Sequence, residues 1–174
     1  HAFVADWSGG LRVFNVADAR GPVEVAEVRT EGDPERLTLQ GNRLHVLQRH
    51  GGWLVVDVAL PAAPRVFEMS GSDGRAMALQ QDRVFMADWG GGIFAADMPN
   101  PAELKVVRHS KVLPGQDGVI LLMLLPEGGE SLIALGLSRS HDSWLATIDI
   151  RDPVHLRFQG TLNLSDPPRC QGLS

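Results

Sequence analysis

The chain has 174 residues, 44% hydrophobic and 21% charged, with a formal net charge of −5. That balance belongs to a folded chain with room for a real core, not to a disordered one. Net acidity without a run of Lys or Arg argues against nucleic acid or an anionic membrane as partner, and a lone cysteine, Cys170, excludes an internal disulfide and leaves the redox compartment open.

The chain opens in a strand-like run, HAFVADWSGGLRVFNV (1–16), in which two apolar stretches flank a Gly-rich turn. After the break at Gly21-Pro22 comes a more charged strand, Val23–Arg29. Arg36–Gln40 alternates as a short strand, and Gly41-Asn42 is a two-residue turn that tolerates positive φ. Leu44–Leu47, the turn Arg49–Gly52 and the run Trp53–Val58 follow. Pro61 and Pro64 then interrupt pairing, because proline has no N–H to give a ladder. Arg65–Met69 makes a further strand before the polar loop Ser70–Gly74. The grammar returns in Ala76–Leu79, the tight turn Gln81-Asp82 and RVFMADWGGGIFAADM (83–98), with Pro99-Asn100-Pro101 as the break and Leu104–Arg108 as the outer strand. Val119–Leu125 (VILLMLL) is far too short to span a bilayer and suits a buried strand. A fourth, worn copy, SLIALGLSRSHDSWLATIDI, runs from Ser131 to Ile150, followed by Asp152-Pro153 and His155–Leu162. No segment sustains helical spacing for two turns.

The residue that closes each copy is Asn15, Asp57, Asp97 and Asp149, in steps of 42, 40 and 52 residues. Periods near 40 mark arrays whose units cannot bury both faces alone. The second and third strands are apolar at nearly every position, as burial on both faces requires. The expected architecture is therefore all-β: one propeller-type domain over 1–174, built from four consecutive four-stranded blades. Its repeat units run approximately 1–42, 43–82, 83–130 and 131–174. The chain starts inside a strand-like run, and Gly172-Leu173-Ser174 begins one that stops, so an arc or fragment of a larger propeller is expected.

The phrases VADWSGGLRVFNV–ADARGPVEV, WLVVDV–ALPAAPRV and MADWGGGIFAADM–PNPAEL resemble LVIVD repeats, a bacterial and archaeal propeller-type repeat. The resemblance covers essentially the whole chain and is weakest in the fourth copy, with its longer step and the Ser138–Ser143 insertion. It implies a propeller that is often cell-surface, extracellular or periplasmic. Its motifs encode turns and strands and are nearly silent on activity.

Candidate site residues cluster in the loops that a propeller gathers on one face: Asp6–Gly10, Glu31–Glu35, Arg49–Gly52, Ser70–Gly74, Asp88–Gly92, Pro114–Gly118, Ser138–Ser143 and Ser165–Arg169. Trp7 and Trp89 sit in matching Asp-Trp-x-Gly-Gly turns and would stack on a sugar or clamp a peptide; the plainer alternative packs each ring on its own hairpin. Asp6 and Asp88 would ring a cation only with gaps, since Gln48 and Gly136 fill the matching places. Capping of the turn by the Asp side chain is favoured. His50 and His141 lie in turns, and His141-Asp142 is the one pair a hydrolytic reading can use. Arg36, Arg75 and Arg169 recur after the blade-to-blade loops, as anion binders or as structural partners of Asp33, Asp73 and Asp166. Trp53 and Trp144 read as core.

No nucleophile–base pair, metal cluster or cofactor motif stands at a recognisable spacing. The leading expectation is a non-enzymatic binding or scaffold module without cofactor, for a protein, peptide or carbohydrate ligand. The alternative is a propeller-type hydrolase or lyase at the channel mouth, using His50, His141, Asp142 and the Asp6 and Asp88 turns. No transmembrane segment is expected within this chain.

Overall fold

The computed structural model describes residues 1–67, 74–88, 92–98, 105–110 and 118–164, the stretch 105–110 in its backbone alone. Among the described residues fifteen strands fall into four antiparallel sheets, and within each sheet the paired strands are consecutive in sequence. Sheet 1 holds β1 (Ala2–Ala5), β2 (Leu11–Asn15) and β3 (Val23–Val28). Sheet 2 holds β4 (Asp33–Gln40), β5 (Arg43–Arg49), β6 (Gly52–Asp57) and β7 (Arg65–Phe67). Sheet 3 holds β8 (Gly74–Gln80), β9 (Arg83–Asp88), β10 (Ile93–Asp97) and β11 (Lys105–Ser110), and sheet 4 holds β12 (Gly118–Leu124), β13 (Ser131–Ser138), β14 (Ser143–Asp149) and β15 (Arg157–Leu164). Among the described residues the one helical element is a single 3-10 turn, Trp7–Gly9.

One expectation needs correcting. Sheet 1 has three strands, not four, because β1 matches the second strand of the other sheets and nothing described pairs with its other edge. The sheets thus start one strand before the sequence repeat does, so each repeat unit after the first begins at the second strand of a sheet.

The chain divides into two compact units, 1–74 and 75–174. In the first, sheets 1 and 2 share a core of Leu11, Val28, Leu44, Val46, Leu54 and Val56, with Phe3 and Leu37 packed at its margin. In the second, sheet 3 offers small residues, Ala76, Ala78, Ala87 and Ala95, around Phe85 and Ile93. Sheet 4 answers with larger ones, among them Ile120, Met123, Leu132, Trp144 and Ile148, so the layers interdigitate as close packing requires. Burying each such Leu or Ile stabilises by about 1.5–3 kcal/mol.

The closing residue of each repeat has a local explanation. The side chains of Asn15, Asp57 and Asp149 accept hydrogen bonds from the backbone N–H two residues on, at Ala17 (2.9 Å), Ala59 (2.9 Å) and Arg151 (3.0 Å). This is the Asx turn that ends a strand without leaving the next N–H orphaned. The following residue then donates back to the carbonyl just before the second strand: Val58 to Asn42, Met98 to Asp82 and Ile150 to Glu130. Asp97 instead accepts two hydrogen bonds from Arg83 on the opposite strand, Nε to Oδ1 and Nη2 to Oδ2. The most visible motif of the sequence is thus a device for turning the chain.

Candidate functional site

The turns between second and third strands carry the candidate residues, and each turn is held differently. In sheet 1, the Asp6 N–H donates to the Gly10 carbonyl at 2.9 Å, and Gly10 has φ 75°. A Cβ on Gly10 would stand 2.5 Å from the Val28 carbonyl oxygen, so both its backbone and its contact with β3 demand glycine. Between them lies Trp7, with φ 40° and 56% exposure. More than half of the residue's surface is open to solvent. Left-handed backbone is uncommon for a bulky residue, and here the surrounding bonds enforce it.

Asp6 does not cap this turn through its side chain, contrary to the capping expectation. Its carboxylate reaches Nη1 of Arg12 at 3.2 Å, and Arg12 also pairs with Glu24 across β2 and β3. The guanidinium lies 5.8 Å from the Phe14 ring centroid. These charges hold Arg12 above its ordinary pKa, through its bond to Glu24 first and Asp6 second. A charged neighbour on β2, invisible in the turn motif itself, outcompetes the backbone. Asp88 does cap, its Oδ1 accepting from the Gly92 N–H at 2.8 Å.

In sheet 2 the matching position is Gln48, buried at 2%. Its Oε1 accepts from the Gly32 N–H and its Nε2 donates to the Gly51 carbonyl, each at 3.1 Å. The loop between β3 and β4 is thereby clamped to the turn between β5 and β6. Gly32 and Gly51 touch so closely that a Cβ on Gly32 would come within 2.5 Å of the Gly51 nitrogen. His50 sits exposed on that turn with φ 62°. The Trp7 turn also packs beside β4. The first unit therefore gathers Trp7, the 30–33 loop and His50 at one end, while Arg36 lies exposed early in β4.

In sheet 4 the turn after β13 is closed by the Ser138 N–H donating to the Asp142 carbonyl and the His141 N–H donating to the Ser138 carbonyl. His141 has φ 68°. The Ser140 hydroxyl donates to Asp142, and the Ser138 hydroxyl accepts from the Asp142 N–H. Asp142 thus organises its own turn through Ser138 and Ser140. Gly136, the fourth member of the suspected ring, faces Trp144 across the strands, and a Cβ there would stand 1.9 Å from the indole. The four positions of that ring thus have separate local partners: an ion pair at Asp6, loop and turn backbone at Gln48 and Asp88, and the Trp144 indole at Gly136. Arg75 lies half-buried on β8. Trp89, Cys170, Arg169, Asp73 and Asp166, with the loops 70–73, 114–117 and 165–169, lie outside the described residues. Among the described residues no three His, Cys, Asp or Glu side chains converge to hold a metal, and no helix is long and apolar enough to cross a membrane.

Spacing alone did not reveal one further pair. His45 on β5 is completely buried and stacks on Trp53 of β6, with centroids 5.8 Å apart and planes 8° from parallel. Neither of its ring nitrogens, nor the Trp53 Nε1, has a hydrogen-bond partner. Burial, with Arg43 nearby, pushes His45 down to about 4, so the ring is neutral at physiological pH. Trp53 and Trp144 are core residues, 2% and 1% exposed.

No family model and no curated protein matches the chain. Solved structures do. The chain is similar to the β-propeller domain of Cps50 (Swd1) from Myceliophteria thermophila, at 14% identity and TM-score 0.67, over 92% of this chain and 54% of that one. It is similar to the N-terminal domain of Nup159, at 13% identity and TM-score 0.64, over 92% and 45%. A periplasmic gluconolactonase of Pseudomonas aeruginosa, PpgL, matches at 14% identity and TM-score 0.60, over 95% and 68%. The chain spans about half the length of the first two. At such identities the likeness is one of fold, and the fold is all-β, of the β-propeller type.

Proposed function

We propose that this chain is a non-enzymatic binding or scaffold module of LVIVD-repeat type, exported or on the cell surface, that takes a protein, peptide or carbohydrate ligand on its second-to-third-strand turns. The observation that carries the reading is Trp7: a large ring more than half exposed, on a backbone fixed by Gly10 and the Asp6–Arg12–Glu24 pairs. A rigid exposed aromatic offers contact area at low entropic cost, which is what recognition surfaces use. His50, the 30–33 loop and Arg36 extend that surface within the first unit, and His141, Asp142 and Arg75 are the corresponding candidates in the second.

The catalytic alternative, a hydrolase or lyase, takes its support from the fold shared with a gluconolactonase. Against it stands the His141-Asp142 dyad, whose carboxylate is engaged by Ser140. A screen of immobilised glycans and extended peptides against the chain and its Trp7→Ala variant tests the binding reading. The variant is expected to keep its stability within about 0.5 kcal/mol, as exposed substitutions do, and to lose the hits. Hits that survive the loss of Trp7, or a variant that unfolds, would remove Trp7 from the site.

A further inference from the structure

Sheet 1 presents an edge that every other sheet covers. In sheets 2, 3 and 4 the second strand, β5, β9 or β13, lies between a first and a third strand. The matching strand of sheet 1, β1, pairs only with β2 among the described residues. Its sequence is close to that of β9: Phe3-Val4-Ala5-Asp6 stands against Phe85-Met86-Ala87-Asp88. Phe85, Met86 and Ala87 are completely buried, whereas Val4 is 41% exposed and Phe3 and Ala5 are half-buried. The bond from the Asp6 N–H to the Gly10 carbonyl sets the alternation along β1. Val4 turns its N–H and C=O toward β2, and Phe3 and Ala5 turn theirs to the open edge, where a further strand can pair.

We propose that β1 receives residues 166–174 of a second copy as its first strand, two copies exchanging these segments across a two-fold axis. What such an edge accepts is visible in sheet 2, where β4 lies on β5 with Leu37 opposite Val46. Residues 166–174 repeat the phrase of β4: Asp166-Pro167-Pro168-Arg169 stands for Asp33-Pro34-Glu35-Arg36, and Cys170 follows where Leu37 does. Four second strands thus meet three first strands among the described residues, and a fourth first-strand phrase is present in the sequence. Main-chain hydrogen bonds to Phe3 and Ala5 hold an added strand, and the alternation of side chains sets its register. A second copy is the source because the chain spans about half the length of the propeller domains it resembles. Two copies joined head to tail supply that length, and the two-fold axis closes the exchange.

Cys170 is the sole cysteine, which makes the register testable. The pairing of β4 on β5, carried to β1, sets Cys170 opposite Val4. That pair makes no hydrogen bonds across the new ladder, so its Cα atoms stand about 4.5 Å apart and a disulfide fits. Oxidation of the Val4→Cys chain with diamide is expected to give a disulfide-linked dimer on a non-reducing gel. Ala5→Cys, whose side chain leaves the opposite face, should give about tenfold less. The parent chain, and Val4→Cys combined with Cys170→Ser, should stay unlinked. Ala5→Pro spares the β1–β2 ladder, because that N–H points away from β2, and should abolish the link when added to Val4→Cys. In sedimentation equilibrium from ~1 to ~100 μM the parent is expected to form dimers, and a chain ending at residue 165 to stay monomeric with native circular dichroism. A natively folded Val4→Cys chain that does not link, a link formed within one chain, equal linking through Ala5→Cys, a link that survives Ala5→Pro, or a parent monomeric throughout would each overturn the proposal.

Discussion

Acidification should expose His45 as a latent fault in the fold. Its ordinary pKa is 6.5 and burial lowers it to about 4, with Arg43 adding to the shift. A base depressed in the folded state binds its proton more readily in the unfolded chain. Stability is therefore full above pH 6.5 and falls as pH drops through that window, levelling off below about 4. Each unit of difference is worth about 1.4 kcal/mol, so the loss is about 2 kcal/mol at pH 5 and about 3 kcal/mol at pH 4. For a chain of this size the midpoint of thermal unfolding should fall by about 4–8 °C between pH 7.5 and pH 5. The comparison variant is His45→Phe, which keeps a flat ring on Trp53 and removes both unpartnered nitrogens. It is expected to match or exceed the parent at pH 7.5 and to lose most of the slope between pH 6.5 and 4. Urea titrations at half-unit pH steps measure both. A parent with no slope in that window, or a Phe variant with the same slope, would refute the assignment of a buried, partnerless imidazole.

Three other outcomes are expected. Gly136→Ala drives a methyl into the Trp144 indole and should destabilise by about 1–3 kcal/mol in urea unfolding; a neutral effect would mean the indole does not lie on the glycine. Gln48→Ala removes the clamp between Gly32 and Gly51 and leaves half-buried backbone groups without that partner, costing about 1 kcal/mol, with faster amide exchange at Gly32 as its signature. Asp149, held down to about 2 by Arg151, contributes stability that is present above pH 3.8 and is lost as pH falls from there toward 2. Asp149→Asn should flatten acid unfolding in that lower window without touching the His45 window.

Strand periodicity, proline breaks and the forty-residue period carried the architecture into the sequence in readable form, because each of them acts through neighbours along the chain. Trp53 and Trp144 were legible as core for the same reason: they begin runs apolar on both faces. What the turn motifs could not disclose is which partner a side chain chooses. Asp6 and Asp88 open the same five-residue phrase, yet Asp6 bonds Arg12 while Asp88 accepts from the Gly92 N–H; the strand after the first turn carries Arg12 where the strand after the second carries Phe94. Gln48 read as a gap in a ring and proves to be a clamp, since its partner Gly32 comes from a loop sixteen residues away. His45 gave no signal, as its isolation depends on what the surrounding strands fail to offer. The Asx role of the closing residues was hidden in plain view: the repeat advertises them, but their function is the turn they make.

That the described strands pair, within each sheet, only with their neighbours in sequence sets how this chain comes together in time. All partners within a sheet are reached by closing short hairpins, so contact order is low for a β protein and the entropic cost of each closure is small. Sheet 2 needs nothing beyond the span from Asp33 to Phe67 to complete its ladder, and on a ribosome it can zip before Gly118 has been synthesised. Stacking of finished sheets, not strand pairing, then becomes the slow event, and the faces left waiting for a neighbour are where a nascent chain is most in need of protection.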